Sequence, residues 1–490
     1  METSIIGRKT EKKILHDLLN STKPEFLALY GRRRVGKTFL ISEYFEGKGI
    51  FFELIGSKDS SNEVHIARFL SELSYKFYGG KEKPSADNWE ACFGLLREAV
   101  DAAISRDPSG KIVIFFDELP WIDRNDPGFT ASMDYHWNRY FSRSRYANLL
   151  LIVCGSAASW IIKRIISNKG GLHNRITRII RLLPFNLCET QQYLESRGII
   201  LEKRHILETY MALGGIPFYL SLINNGDSSA QIINNLCFRK DGFLIDEFDR
   251  LFSSLFDKHE THLKIIHALA SLKKGATRDE ILGAAGLESG GEASIAIKEL
   301  SEAGFILQVP AWKKRHKGKL YRLIDEYALF YLQWIEPVRE QLILAETPDY
   351  WLKKSNLQSW KTWAGYAFEG ICLKHIDKIK ETLGISGVVT FENSWRHMPE
   401  KGVEERGAQI DLIIERSDRT INLCEIKFST DIYRPSKNYL DILSRKKRLF
   451  KQITKTNYHI VTTMITTYGI EKTPGLPSAI DNFLTMDSLF

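Results

Sequence analysis

Glu25-Phe26-Leu27-Ala28-Leu29-Tyr30-Gly31-Arg32-Arg33-Arg34-Val35-Gly36-Lys37-Thr38 is the stretch whose reading decides the fold. The apolar run Glu25–Tyr30 reads as a buried parallel strand, and Phe39–Phe45 after it as a helix. Gly31–Thr38 fits the spacing G-x-x-x-x-G-K-S/T, and strand, glycine loop and helix in that order are the setting in which this spacing binds phosphate. Gly31 and Gly36 allow the backbone to turn tightly and aim its N–H groups at phosphate oxygens. The helix N-terminus adds partial positive charge. Lys37 is placed to reach the β- and γ-phosphates, and the Thr38 hydroxyl to hold Mg²⁺.

Working outward, 490 residues imply about three or four domains. A hydrophobic content of 43% is enough to bury real cores. The net charge of +8 is mildly basic and suits contact with nucleic acid as well as an ordinary solvated surface. None of the cysteines forms a C-x-x-C pair, which argues against a zinc knuckle or a disulfide framework. Met1–Arg8 lacks the apolar core of a signal peptide, and no apolar run reaches the roughly 18 residues of a membrane span. A cytoplasmic location without membrane contact is expected.

Before the loop, Ile5-Ile6-Gly7-Arg8 leads into an amphipathic helix with Ile14, Leu15, Leu18 and Leu19 on one face. After it, Ile50–Ile55 reads as a second strand and residues 61–105 as mostly helical. Lys111–Glu118 is an apolar central strand ending in two carboxylates. Asp117 is expected at the strand's C-terminal edge, orienting the Mg²⁺ shell, with Glu118 placed to polarise the attacking water. Asn148–Ser156 is a further buried strand, whose terminal Ser156 either senses the γ-phosphate or caps a helix. Gly170-Gly171-Leu172-His173-Asn174-Arg175 suits a mobile loop carrying a charge-neutralising arginine, Arg175 first and Arg178 second. Residues 181–255 read as helices broken at Gly214-Gly215-Ile216-Pro217.

Gly7-Arg8-x-x-Glu11, the Gly31–Thr38 loop, Asp117-Glu118, Gly155-Ser156, the Gly171–Arg175 stretch and Gly214–Pro217 together resemble the archaeal-type AAA+ ATPases. That group is also found in bacteria and is close to the STAND switch NTPases. The resemblance covers roughly residues 1–255. It implies a Mg²⁺-ATP site with nucleotide contacts from Gly7, Arg8, Gly31, Arg32, Arg33, Arg34, Val35, Gly36, Lys37, Thr38 and Phe39. It also implies a sensor at Ser156 and a turn at Pro217 that reports nucleotide state to a helical lid.

Residues 258–335 read as short helices and a hairpin. Thr277 and Glu280 form a capping box. The pattern looks like a winged helix, with Ala293–Leu300 in the recognition position and Trp312–Lys319 as the wing. Five Lys or Arg residues in that turn suit phosphate contacts, whereas Lys298 alone on the recognition helix argues against strong base readout.

Farther on, Trp363–Leu373 reads as a helix carrying Glu369, and Gln409–Glu415 and Ile421–Lys427 as a β-hairpin. Glu425 and Lys427 are two apart and share a face, which Asp411 on the paired strand can meet. A buried face holding Asp, Glu and Lys is costly unless they bind something. Asp411 and Glu425 suit a divalent metal, Glu369 can join it, and Lys427 can orient a water. This pattern resembles the PD-(D/E)XK nuclease-like domain that follows the ATPase in the same family, over about residues 340–490, with Ile410 replacing the proline. The basic run Ser444–Arg448 suits a DNA groove.

The expectation is an α/β protein: a P-loop AAA+ parallel sheet with a helical lid, then a winged helix and a restriction-endonuclease-like α/β domain. The segments are an ATPase core over 1–180, a lid over 181–257, a winged helix over 258–338 and the nuclease-like domain over 339–490. Two outputs fit it. Either ATP state gates a nuclease acting on DNA, or the chain is a nucleotide switch or DNA-binding regulator whose C-terminal domain only docks partners. ATP and Mg²⁺ are the expected ligands; a homo-oligomer or a regulatory protein is a further expected partner.

Overall fold

The apolar runs of the first 184 residues build one parallel sheet. The structure, a computed structural model, describes residues 5–123, 126–156, 160–166, 175–256, 259–312, 319–344, 349–397, 407–472 and 476–490. Strands β1 (Glu25–Tyr30), β2 (Ile50–Ile55), β3 (Ile112–Asp117), β4 (Leu149–Gly155) and β5 (Arg178–Arg181) lie in the order β2-β3-β4-β1-β5. β3 and β4 are buried along their whole length, as strands covered on both faces must be, which is why they read as unbroken apolar runs. β5 buries only Ile180 and carries arginine at each end, the pattern of an edge strand.

Helices α1 (Lys9–Leu19), α2 (Lys37–Phe45), α3 (Asn62–Tyr78), α4 (Trp89–Arg106), α5 (Leu119–Asp123) and α6 (Gly128–His136) belong to the same unit. An aromatic core lies over one face of the sheet, where Phe52, Phe69, Trp89, Phe93, Phe116 and Phe129 meet mostly edge to face. α4 starts where it does because the Asn88 side chain accepts the Ala91 N–H at 2.9 Å.

The chain divides into two compact units, residues 1–184 with 254–257 and residues 185–253 with 258–490. The four expected segments thus fall into two units, the last three largely together in the second. That unit begins with helices, among them Leu187–Ser196, Lys203–Leu213 and Ser229–Cys237. Three more, Glu260–Leu272, Arg278–Ala285 and Gly291–Glu302, precede an antiparallel pair, β6 (Ile306–Val309) and β7 (Leu320–Leu323). The capping box at Thr277 and Glu280 is formed. Of the expected wing, Trp312–Lys319, residues 313–318 lie outside the described residues.

A mixed sheet follows: β8 (Thr390–His397), β9 (Ala408–Arg416), β10 (Thr420–Lys427), β11 (His459–Thr466) and β12 (Asn482–Leu484), in the order β12-β11-β10-β9-β8. β8, β9 and β10 form an antiparallel meander, and β10 joins the parallel strand β11 through the helix Lys437–Thr454. That helix is amphipathic and buries Leu440, Leu443, Leu449 and Phe450. Trp312, just after β6, donates its backbone N–H to Ser394 O at 3.0 Å and packs with Trp395 and Phe450, so hairpin and sheet share a core. Buried His375 ties in the first helix, its Nε2 accepting the Leu187 N–H at 3.0 Å while Nδ1 faces Ile371 O at 2.8 Å. Among the described residues no helix is long and apolar enough to cross a membrane.

Candidate functional site

β1 sits between β4 and β5, so the sheet order reverses at its C-terminal end, where open α/β sheets leave a crevice. The Gly31–Gly36 loop leaves β1 at that point. Arg34 (φ 70°) and Gly36 (φ 87°) take left-handed conformations, which bend the backbone into α2. A Cβ on Gly31 would stand 2.2 Å from Leu182 O, so this loop passes β5's extension closer than any side chain allows. At Gly36 a Cβ would meet nothing within 4 Å, so there it is the left-handed backbone rather than crowding that favours glycine.

α2 opens at Lys37 with no side chain capping its first amides, the state of a helix end built to receive an anion. Lys37 is buried and donates to Gly31 O and Arg32 O, each at 3.1 Å, so its ammonium is folded across the loop. Thr38 donates its hydroxyl to Asp117 Oδ2 at the end of β3. A hydroxyl and a carboxylate from separate segments thus meet as hard oxygen donors, the donor chemistry Mg²⁺ takes. The residues fit a Mg²⁺-nucleotide.

Glu118 has φ 47°, an uncommon conformation for a side-chain-bearing residue, and its N–H donates to Asp117 Oδ1 at 2.8 Å. Its own carboxylate accepts the Ser156 hydroxyl at 2.9 Å and the Ser156 N–H at 3.2 Å. Ser156 therefore faces the acid expected to activate water. Gly7 (φ 62°) and Arg8 (φ 53°) precede α1, and the buried Arg8 guanidinium donates to Leu183 O at 2.6 Å and Val35 O at 3.1 Å. Arg8 braces the loop from Val35. Arg32 is buried, whereas Arg33, Thr38 and Phe39 are exposed.

Arg175 is exposed, and its charge acts on Asp134 of α6, countering the upward push of burial on that carboxyl. Gly170–Asn174 before it lie outside the described residues. Pro217 lies in the second unit, at the first turn of the helix Pro217–Ser221. There Gly215 has a structural duty: its carbonyl accepts the Phe185 N–H at 2.7 Å, and a Cβ would stand 1.8 Å from Phe185 O.

The second unit gathers the remaining candidates. The β9–β10 register pairs Ile413 with Leu423 and Leu412 with Cys424; one step further sets Asp411 opposite Glu425. Asp411 Oδ2 accepts the Ile426 N–H at 3.0 Å. Glu425 is buried, and its carboxylate accepts Lys446 Nζ at 2.6 Å. Glu369, on the helix Gln358–Lys374 against β10, is ion-paired with Arg322 of β7. Burial, then the Asp411 charge, pushes Glu425 up to about 7 against the pull of Lys446. The same two causes raise Glu369 against the pull of Arg322. Lys427 Nζ lies 5.6 Å from the Tyr439 ring, whose hydroxyl these carboxylates also hold above its ordinary range, after burial.

Asp411, Glu425, Lys427 and Glu369 are therefore neighbours, but among the described residues no group of three or more His, Cys, Asp or Glu is arranged to hold a metal. Sequence reasoning missed Arg322, Tyr439 and the inward role of Lys446. Lys446 lay within a basic run assigned to a DNA groove. Arg322 and Tyr439 carried no local signal.

Residues 6–223 match the family described as an ATPase domain predominantly from Archaea. A protein of Methanocaldococcus jannaschii is 25% identical over 452 residues, 91% of this chain and 92% of that one. An ATP-binding protein of the same organism is 47% identical over 45 residues, 9% of this chain and 76% of that one. The Walker-type ATPase of Pyrococcus abyssi aligns at a TM-score of 0.48 and 19% identity, covering 67% of this chain and 96% of that one. The ORC2 protein of Aeropyrum pernix aligns at a TM-score of 0.40 and 15% identity, covering 70% and 98%. The chain thus carries, over residues 6–223, an ATPase domain of the archaeal type.

Proposed function

We propose that this protein is a Mg²⁺-dependent ATPase whose nucleotide state controls a nuclease-like C-terminal part acting on DNA. The observation carrying the ATPase half is the hydroxyl of Thr38 meeting Asp117 at the mouth of the glycine loop. Bound Mg²⁺ supplies charge neutralisation at the phosphates. Lys37 exchanges the carbonyls of Gly31 and Arg32 for phosphate oxygens. Thr38 and Asp117 hold the metal, and Glu118, once released by Ser156, takes the proton of the attacking water. Arg175, with Arg178 as second choice, neutralises developing charge. Gly7 and Arg8 fix the loop's position, and the Pro217 turn belongs to the lid that senses nucleotide.

Residues 258–338 act as a winged helix on DNA. Asp411 and Glu425 hold a divalent cation with Glu369 beside them, and Lys427 orients the attacking water. A second reading has its own support. Lys446 and Arg322 already neutralise Glu425 and Glu369, which suits a non-cleaving domain that docks partners under control of the nucleotide switch.

ATP turnover measured with and without DNA, with DNA integrity followed in the same tube, tests both. Metal-dependent nicking that disappears in Asp411→Ala and Lys427→Ala supports the nuclease. Full ATPase activity with intact DNA under Mg²⁺ and Mn²⁺ supports the switch. No turnover at all refutes the ATPase reading.

A further inference from the structure

A cavity of about 230 Å³ opens between the helix Glu260–Leu272, β7 and the helix Gln358–Lys374. Its walls include His267, Lys273, Arg322, Trp363 and Tyr366. Three of these are basic side chains and two are aromatic, on a part of the chain assigned above to DNA. His267 faces Glu336 at 3.5 Å and Arg322 is committed to Glu369. Lys273 has no carboxylate partner among the described residues; its Nζ stands 5.3 Å from the Tyr366 ring centre. Lys273 is held there by a bent turn, φ 39° at Lys273 and φ 85° at Gly275.

The cavity is smaller than the roughly 300–1,000 Å³ of drug-sized sites, and matches one ring system with a short appendage. An ammonium with no carboxylate partner among the described residues, over a half-buried tyrosine face, offers a stacking platform beside an anion contact, the pairing that single-stranded nucleic acid uses. Its location supplies the second argument. Trp363, Tyr366 and Glu369 follow at intervals of three along one helix, so each step is about 4.5 Å of rise. Tyr366 therefore stands one turn from Glu369, and Arg322 borders both the cavity and the carboxylate cluster. A base in a duplex is stacked and paired, and its face is closed to Tyr366; an unpaired one is open to it.

We infer that this cavity takes one unpaired nucleotide of a DNA strand whose backbone continues toward Glu369, Asp411 and Glu425. The base lies on Tyr366 and the adjoining phosphate meets Lys273. The inference rests on the DNA-acting reading and deepens it by naming the substrate class: DNA with a single-stranded stretch, such as a flap or an open end.

The test uses the full chain in EDTA, where no metal-dependent cleavage occurs. Anisotropy of fluorescein-labelled oligothymidylate of about 20 nucleotides is compared with a blunt duplex of similar length. Tyr366→Ala is expected to bind the single strand about tenfold more weakly, with Tyr366→Phe close to the parent and duplex affinity unchanged. Lys273→Gln is expected to lower the salt slope of single-strand binding by roughly one phosphate contact. Parent-like single-strand affinity in Tyr366→Ala, or equal losses for both DNAs, overturns the inference. Unchanged ATP turnover and an unchanged melting temperature guard against misfolding. Cleavage that depends on Asp411, with normal single-strand binding by Tyr366→Ala, removes the cavity and leaves the nuclease. Selective loss of single-strand binding without cleavage by any variant does the reverse.

Discussion

Two carboxylate centres sit in this chain, and their acids are held in opposite ways. In the first unit Asp117 and Glu118 accept hydrogen bonds from Thr38, Ser156 and backbone N–H groups, and among the described residues neither is ion-paired. In the second, Glu369 and Glu425 are bound to the protein's own cations, Arg322 and Lys446. Neutral donors orient a carboxylate without cancelling its charge, so the first centre keeps an electrostatic demand that a divalent ion satisfies. A buried ion pair satisfies that demand internally, and a metal must displace a cation to enter. The first centre leaves its acids with neutral donors; at the C-terminal centre the cation required by the proposed nuclease reading would have to compete with the ammonium of Lys446.

The largest expected effects fall at the first centre. Lys37→Ala should abolish ATP binding, read by calorimetry, and unchanged affinity would count against the loop. Glu118→Gln should retain ATP and lose roughly 10²- to 10⁴-fold in turnover, read by phosphate release. If that variant hydrolyses normally, Ser156 is orienting a group that does no chemistry. Next comes the competition itself. Lys446→Met should tighten Mn²⁺ binding at the C-terminal centre by roughly tenfold or more, measured by calorimetry in an Asp117→Asn background that silences the first metal site. Equal affinity with and without Lys446 would erase the contrast between the centres. Gly31→Ala should lower the stability of the first unit by about 1–3 kcal/mol in thermal melts, because its Cβ would stand 2.2 Å from Leu182 O.

The last expected effect is a pH dependence confined to the second unit. Glu425 is pushed from its ordinary 4.5 up to about 7 by burial. Between those values the folded state binds more protons than the unfolded chain, so this group's contribution to stability falls as pH rises through the window. His375 opposes it: burial lowers its value from 6.5 to about 4, so its contribution is lost as pH falls through that range. Melting temperatures of Glu425→Gln across pH 4.5 to 7 should lose the falling arm and keep the His375 arm. A parent-like profile would place Glu425 outside the coupled cluster.

The two centres also differ in how far the sequence revealed them. The glycine loop is contiguous, so Gly31 to Thr38 announce their own geometry. Asp117 and Glu118 were legible because a buried parallel strand reads as an apolar run and its end stands out. Even there, Arg8 bracing Val35 and Ser156 gripping Glu118 are contacts between residues 27 and 38 positions apart. At the C-terminal centre the alternation of β10 put Glu425 and Lys427 on one face, and pairing with β9 added Asp411. The partners that set its charge came from β7 and from the helix after β10.

The order of residues alone determined where the strands and the phosphate loop form, because period, glycine placement and apolar runs act over a few neighbours along the chain. Only the folded arrangement decided which acids keep their charge and which are neutralised. That choice depends on cations brought from as far as 47 positions away, as Arg322 is to Glu369, and no local pattern encodes such a meeting.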